Sequence, residues 1–158
     1  MNPPVTGWFA RPRASRSTGV ITDTGINELK DAIVDTMQKD YGLTYRRDNV
    51  LVSCGGKHAL YNLFQALLDP DDEVIIPAPY WVSYPDMVEL TGAKSVEVPT
   101  CEADGFKLRP DDLAKALTPR TRLLVLNSPS NPTGAHYRRD ELEALAEVIL
   151  RHDLSVLS

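Results

Sequence analysis

The chain has 158 residues, 42% hydrophobic and 25% charged, with a formal net charge of -5 and a pI near 5.1, the size and usage of one ordinary globular domain. The acidic balance argues against a nucleic-acid footprint or a basic membrane face, both of which need clustered Lys and Arg, and no apolar run approaches membrane-spanning length. Cys54 and Cys101 lie far apart without a second ligand pair, so neither a zinc site nor a disulfide framework is indicated, no metal is expected, and a reducing cytoplasm fits the chain.

Residues 1–19 carry Pro3, Pro4, Pro12, Arg11, Arg13 and Arg16 without an Asp or Glu, and no apolar periodicity organises them. They read as a disordered segment. Their acid-free, Arg-containing composition is that of a transit peptide, but the amphipathic face is missing, as is the apolar centre of a secretory signal.

From Gly25 the chain alternates between helix and strand signals. Ile26, Leu29, Ile33 and Met37 share one helical face that Gly42 terminates. A short strand is expected at 50–52, then a glycine turn at Ser53-Cys54-Gly55-Gly56-Lys57, then a helix with Leu60, Leu63, Phe64 and Leu67 on one face. Residues 73–76 read as a strand running into Pro77, Pro79, Tyr80 and Trp81. Ser83 and Asp86 suggest a capping box around Pro85, opening a helix that ends near Gly92. Further on, the pattern gives a strand at 94–98, a short helix at 110–117, a buried strand at 122–126, a helix at 141–150 with Leu142, Leu145 and Ile149 inward, and a last strand at 154–157. Such alternation predicts an α/β fold, a mostly parallel sheet with right-handed crossovers.

Three strand ends carry residue types suited to chemistry, and open α/β sheets bind ligands at such ends. Gly55 and Gly56 open a helix whose unpaired N–H groups and positive dipole end suit a phosphate; the alternative is a plain tight turn. Lys57 either adds charge there or sits solvated. Trp81 follows two prolines that stiffen the backbone, so its face could stack on a planar heterocycle, or it could belong to the core. Asn131, before Pro132, could offer its amide to a ring oxygen or a carboxylate, or Asn127 and Asn131 could serve a local Asx turn. His58, His136 and His152 have no partner spacing for a metal or a triad and read as surface residues. Tyr61, Phe64 and Met87 fall on apolar helical faces and read as core, and Arg138 and Arg139 open a solvated helix start.

Four segments taken together, Gly25-Ile26-Asn-Glu-Leu29-Lys-Asp-Ala-Ile33, Gly55-Gly56-Lys57-His-Ala59-Leu-Tyr-Asn-Leu-Phe64, Pro79-Tyr80-Trp81-Val-Ser-Tyr84-Pro85 and Asn127-Ser-Pro-Ser-Asn131-Pro132-Thr-Gly134, resemble the class I/II aminotransferases, the fold-type I pyridoxal-phosphate enzymes, in order and spacing. The resemblance is nearest to the bacterial aspartate aminotransferase branch and runs from about residue 19 to 158. It implies a three-layer large domain over residues 20–158, truncated, and pyridoxal 5'-phosphate as cofactor. It also implies amino acid and 2-oxo acid substrates and a homodimer in the complete enzyme. By the same resemblance Gly55, Gly56 and Lys57 contact the cofactor phosphate, Trp81 stacks on the pyridine ring near the substrate, and Asn131 bonds the ring oxygen and the substrate carboxylate. The sequence also departs from the family. Its Asp-Glu-x-Tyr run would begin after Ser158, the Schiff-base lysine and the substrate-binding arginine would lie further on, and Lys57 and Lys94 sit at the wrong motif positions. No catalytic residue is therefore assigned. Val20 stands where the family has a Tyr for a neighbouring subunit's phosphate. The chain is accordingly expected to be either an aminotransferase piece or a non-catalytic product, truncated, frameshifted or in need of a complementary fragment; a lyase or synthase of the same fold shares these motifs.

Overall fold

The structure, a computed structural model, describes residues 24–158. The expectations for residues 1–19 and for Val20 lie outside them. The described residues divide into two compact units, one ending at residue 60 and one over residues 61–158.

In the first unit, helix α1 (Asn27–Tyr41) ends where Gly42 turns left-handed at φ 69°, and the N–H groups of Gly42 and Leu43 donate to the carbonyls of Gln38 and Met37. A left-handed residue at this point satisfies end carbonyls that no further helical turn would reach, which is why Gly stands there. The apolar face read from the sequence is largely open: Leu29 is 43% exposed, and the buried side chain of α1 is Lys30, which donates to Thr24 Oγ1 at 3.1 Å. The strand expected at 50–52 is not formed. Val50 is extended, but among the described residues the segment's backbone ties are a local bond, Val50 N–H to the Arg47 carbonyl at 3.1 Å, and one bond to another segment, Val52 N–H to the Thr24 carbonyl at 3.0 Å, and an extended run without a ladder partner is not a strand. Arg47 and Asp31 pair across this unit, and the guanidinium holds the Asp31 carboxyl below the usual range.

Helix α2 (Gly56–Leu67) leads into the second unit, a four-stranded all-parallel sheet of β1 (Glu73–Ala78), β2 (Lys94–Pro99), β3 (Thr121–Val125) and β4 (Ser155–Leu157) in the order β2-β1-β3-β4. Helices α3 (Ser83–Glu89), α4 (Pro110–Ala116) and α5 (Arg139–Arg151) make the crossovers that parallel neighbours require. Val74, Ile75 and Ile76 of β1 and Leu123, Leu124 and Val125 of β3 are all buried; strands apolar on both faces belong in the middle of a covered sheet. One face packs Ile75, Leu124 and Leu126 with Leu113 of α4 and Leu145 and Val148 of α5. α3 packs against β1 and β2, and its buried Tyr84, Met87 and Val88 stand apart from that cluster. The result is the three-layer, mostly parallel α/β architecture expected for an aminotransferase large domain.

Two local expectations are corrected. Ser83 is the first residue of α3 rather than its cap; Val82 precedes it in helical conformation without a side-chain cap bond, so the Ser83–Asp86 capping box does not form. In α5, Leu145 is buried and Ile149 packs on the core, but Leu142 is 38% exposed, so the buried stripe is narrower than the apolar face read from the sequence. Phe64 and Met87 are core as expected, Tyr61 is 37% exposed, and His58, His136 and His152 are exposed.

Candidate active site at the carboxyl ends of the strands

The Gly55-Gly56 turn belongs to the first unit. Gly55 has φ 92°, and its N–H donates to the Ser53 carbonyl at 2.8 Å. A β-carbon added at Gly55 or Gly56 would meet nothing within 4 Å. Gly55 thus has a backbone reason for being glycine, whereas nothing among the described residues crowds Gly56; they leave the space before the helix open to an approaching group. The first turn of α2 carries no acidic side chain, so its dipole end is not neutralised from within. His58, read as a plain surface residue, ties the turn to the helix, because its Nδ1 accepts the Cys54 N–H at 3.2 Å. These features suit a phosphate. Lys57 is exposed at the second position of the helix.

In the second unit the chain leaves β1 through Pro79, Tyr80 and Trp81, and leaves β3 through the loop from Asn127 to Tyr137. β1 and β3 are adjacent and parallel, so both exits lie at one end of the sheet. There they line a narrow cleft, with Tyr80 on one side and Asn127, Ser130, Asn131 and Tyr137 on the other. The loop is tied internally: Asn127 Oδ1 accepts the Asn131 N–H at 2.9 Å, Ser130 N–H donates to the Ala135 carbonyl at 2.7 Å, and the Ser128 hydroxyl accepts the Tyr137 N–H at 3.1 Å. Asn127 therefore satisfies local backbone, though four residues on rather than the two of an Asx turn, while Asn131 is exposed and lines the cleft. The Ala78-Pro79, Ser128-Pro129 and Asn131-Pro132 peptides are cis. Trp81 is half-buried and is not a lining residue; its ring meets that of Tyr84 edge to face, centroids 5.4 Å apart and planes at 87°. Trp81 and Asn131 thus stand at neighbouring strand ends of the second unit, and Gly55, Gly56 and Lys57 in the first.

Two features here escaped the sequence. The Tyr80 hydroxyl donates to Glu97 of β2. Tyr137, beyond the loop, accepts the Leu108 N–H on its hydroxyl at 2.7 Å, and burial, the largest influence, pushes its phenol up. Beside it, Lys107 and Glu141 pair at 2.8 Å, which holds the Glu141 carboxyl below its usual range. Because Leu108 is 3% exposed, Tyr137→Phe would strand a buried N–H; a loss of about 1–2 kcal/mol in urea unfolding is expected, and an unchanged midpoint would show that water replaces the phenol.

A larger cavity of about 580 Å³ opens at the opposite end of the sheet, between Leu67, Leu117, Arg122, His152 and Asp153. It adjoins the starts of β3 and β4, not the ends where such sheets bind ligands. Among the described residues there is no cluster of three or more His, Cys, Asp or Glu able to hold a metal, and no helix is long and apolar enough to cross a membrane.

Proteins of known kind resemble this chain in sequence and in fold. The chain is 48% identical over 148 residues to a probable aspartate/prephenate aminotransferase of Thermus aquaticus, covering 94% of this chain and 39% of that one. It is 49% identical over 134 residues to an aspartate aminotransferase of Bacillus subtilis, covering 85% and 34%. Among solved structures, an aspartate aminotransferase of Thermus thermophilus with maleate superposes with TM-score 0.81 at 48% identity, over 85% of this chain and 35% of that one. An aromatic aminotransferase of Pyrococcus horikoshii does so with TM-score 0.81 at 41% identity, over 85% and 36%. The chain spans less than two fifths of the length of each of these relatives. A model of "Aminotransferase class I and II" matches it from residue 10 to residue 158, and with that match the chain belongs to the class I and II aminotransferase family.

Proposed function

We propose that residues 20–158 are part of the large domain of a pyridoxal-phosphate-dependent aminotransferase, a homodimer of the cytoplasm that moves an amino group between an amino acid and a 2-oxo acid. The cleft between the ends of β1 and β3, with exposed Asn131 on its wall, is the observation that carries this reading. Bound pyridoxal phosphate supplies an electron sink for the carbon that loses and gains a proton. The chain's own residues bind and orient. Backbone N–H groups at Gly56 and Lys57 receive the phosphate against the positive end of α2, while the backbone of Gly55, whose own N–H donates to the Ser53 carbonyl, turns the chain against it. Trp81 offers its face to the pyridine ring, and Asn131 donates to the ring oxygen and to the substrate carboxylate.

A second reading concerns residues 1–158 by themselves. Lys94, Lys107 and Lys115, the lysines of the second unit, are ion-paired, and none of them lines the cleft. The second unit thus brings no lysine of its own to the cleft as anchor and base; on this reading the polypeptide alone binds without turning over, and a complementary polypeptide brings the lysine. A lyase or synthase of the same fold would use the same turn and cleft.

The test is amino transfer from aspartate to 2-oxoglutarate by the chain alone and by the complete coding region. No turnover and no single borohydride-fixed lysine are expected for residues 1–158. In an active complete product, Asn131→Ala should lower kcat/KM roughly tenfold or more, the worth of a hydrogen bond to a charged group. A fixed adduct on one lysine of residues 1–158 would overturn the second reading; an Asn131→Ala product as active as its parent would remove Asn131 from the site.

A further inference from the structure

Tyr80 and Glu97 have no part in the function proposed above, yet they make a charge-assisted hydrogen bond at the mouth of the cleft, with the phenol donating to the carboxylate. Register brings them together. β1 and β2 run parallel with Ile76 opposite Glu97 and Ala78 opposite Pro99, so an acid on the edge strand comes within reach of a side chain two residues past the end of β1. Glu97 is exposed and Tyr80 half-buried. The Tyr80 phenol is pushed up to about 12, first by the bond to Glu97 and then by burial and by the charges of Glu97 and Glu89; it remains a donor throughout the neutral range.

The neighbouring residue is Trp81. Pro79 limits the backbone on one side of the corner, and Tyr84 meets the indole edge to face on the other. Adjacent residues share a peptide plane, so a bond that pins the Tyr80 ring also fixes the backbone from which the indole projects. We infer that the Tyr80–Glu97 hydrogen bond is a strut that orients Trp81, with Tyr80 and Glu97 as positioning residues for the indole face that meets the cofactor ring. The cofactor half of this inference rests on the function proposed above. An exposed ion-assisted pair adds little to global stability, so the strut is felt in the order of one indole rather than in the unfolding midpoint.

The sequence has two tryptophans, and Trp8→Phe leaves Trp81 as the single reporter. In that background Tyr80→Phe and Glu97→Ala should each lose near-ultraviolet circular dichroism and fluorescence anisotropy from Trp81, with far-ultraviolet spectrum and urea midpoint unchanged. Glu97→Gln, which keeps an acceptor, should restore most of both signals. Pyridoxal phosphate, followed by quenching of Trp81, should bind roughly three- to tenfold more weakly to Tyr80→Phe and Glu97→Ala, the worth of one hydrogen bond. Unchanged Trp81 signals in both variants overturn the strut, as does a fall in the urea midpoint without a change at Trp81. Should Glu97→Ala not fold, Tyr80→Phe, which removes a single oxygen, decides. Loss of Trp81 order in the variants together with no quenching of the parent leaves the strut standing and removes the cofactor assignment; equal quenching in parent and variants, with Trp81 order unchanged, does the reverse.

Discussion

Leu124→Ala is expected to lower the stability of the second unit by about 3–4 kcal/mol, a larger effect than that of any other substitution proposed for this unit. Leu124 is fully buried on β3, an inner strand, opposite Ile75 of β1 and Val156 of β4. Its side chain belongs to the cluster that joins the sheet to α4 and α5. Neighbours fixed in a hydrogen-bonded ladder cannot collapse into the void, so cavity cost adds to lost burial. Urea unfolding followed by far-ultraviolet circular dichroism gives the value. A loss under about 1 kcal/mol, the range of a well-tolerated apolar swap, would mean that this face is not tightly packed.

Gly25→Ala is expected to cost about 3 kcal/mol in the first unit, through two effects that reinforce each other. The backbone at Gly25 has φ 98°, which L side chains rarely adopt. A β-carbon there would also lie 2.7 Å from Val52 Cβ and 2.8 Å from Val52 Cγ2. The Val52 N–H bond to the Thr24 carbonyl holds the two segments at that separation, so relief of the contact breaks it. Gly25→Ala placed in a Val52→Gly background, which lacks both Cβ and Cγ2, separates the effects: against Val52→Gly alone it should recover the contact component and retain the backbone component. Full recovery would show that φ alone costs nothing.

The sheet was legible because its inner strands are short apolar runs between turn residues, and the pattern at Val74-Ile75-Ile76 and Leu123-Leu124-Val125 admits few arrangements besides a strand covered on both faces. What failed depends on partners distant in sequence or on a shift of one residue at a helix start. Residues 50–52 have the composition of a strand, yet strand identity comes from a ladder, and a single bond to Thr24 does not make one. Ser83 and Asp86 have capping-box spacing, but Val82 already adopts helical angles, and spacing cannot register that shift of one residue. In the site, the turn at Gly55-Gly56 and the bond from the Asn131 N–H to Asn127 Oδ1 follow from local chemistry. Tyr80 with Glu97 and Tyr137 with Leu108 do not: they are set by parallel register and by the path of a loop across 17 and 29 residues, which no local motif encodes.

The measurement that bears most directly on the proposed cofactor site compares pyridoxal phosphate with pyridoxal as quenchers of Trp81 in the Trp8→Phe chain, before and after Gly56→Asp. Quenching by pyridoxal phosphate at least about tenfold tighter than by pyridoxal, with the difference removed by a carboxylate at the head of α2, is the expected result. Equal quenching by the two compounds, or none by either, would contradict the assignment of the Gly55-Gly56 turn and Trp81 to one cofactor.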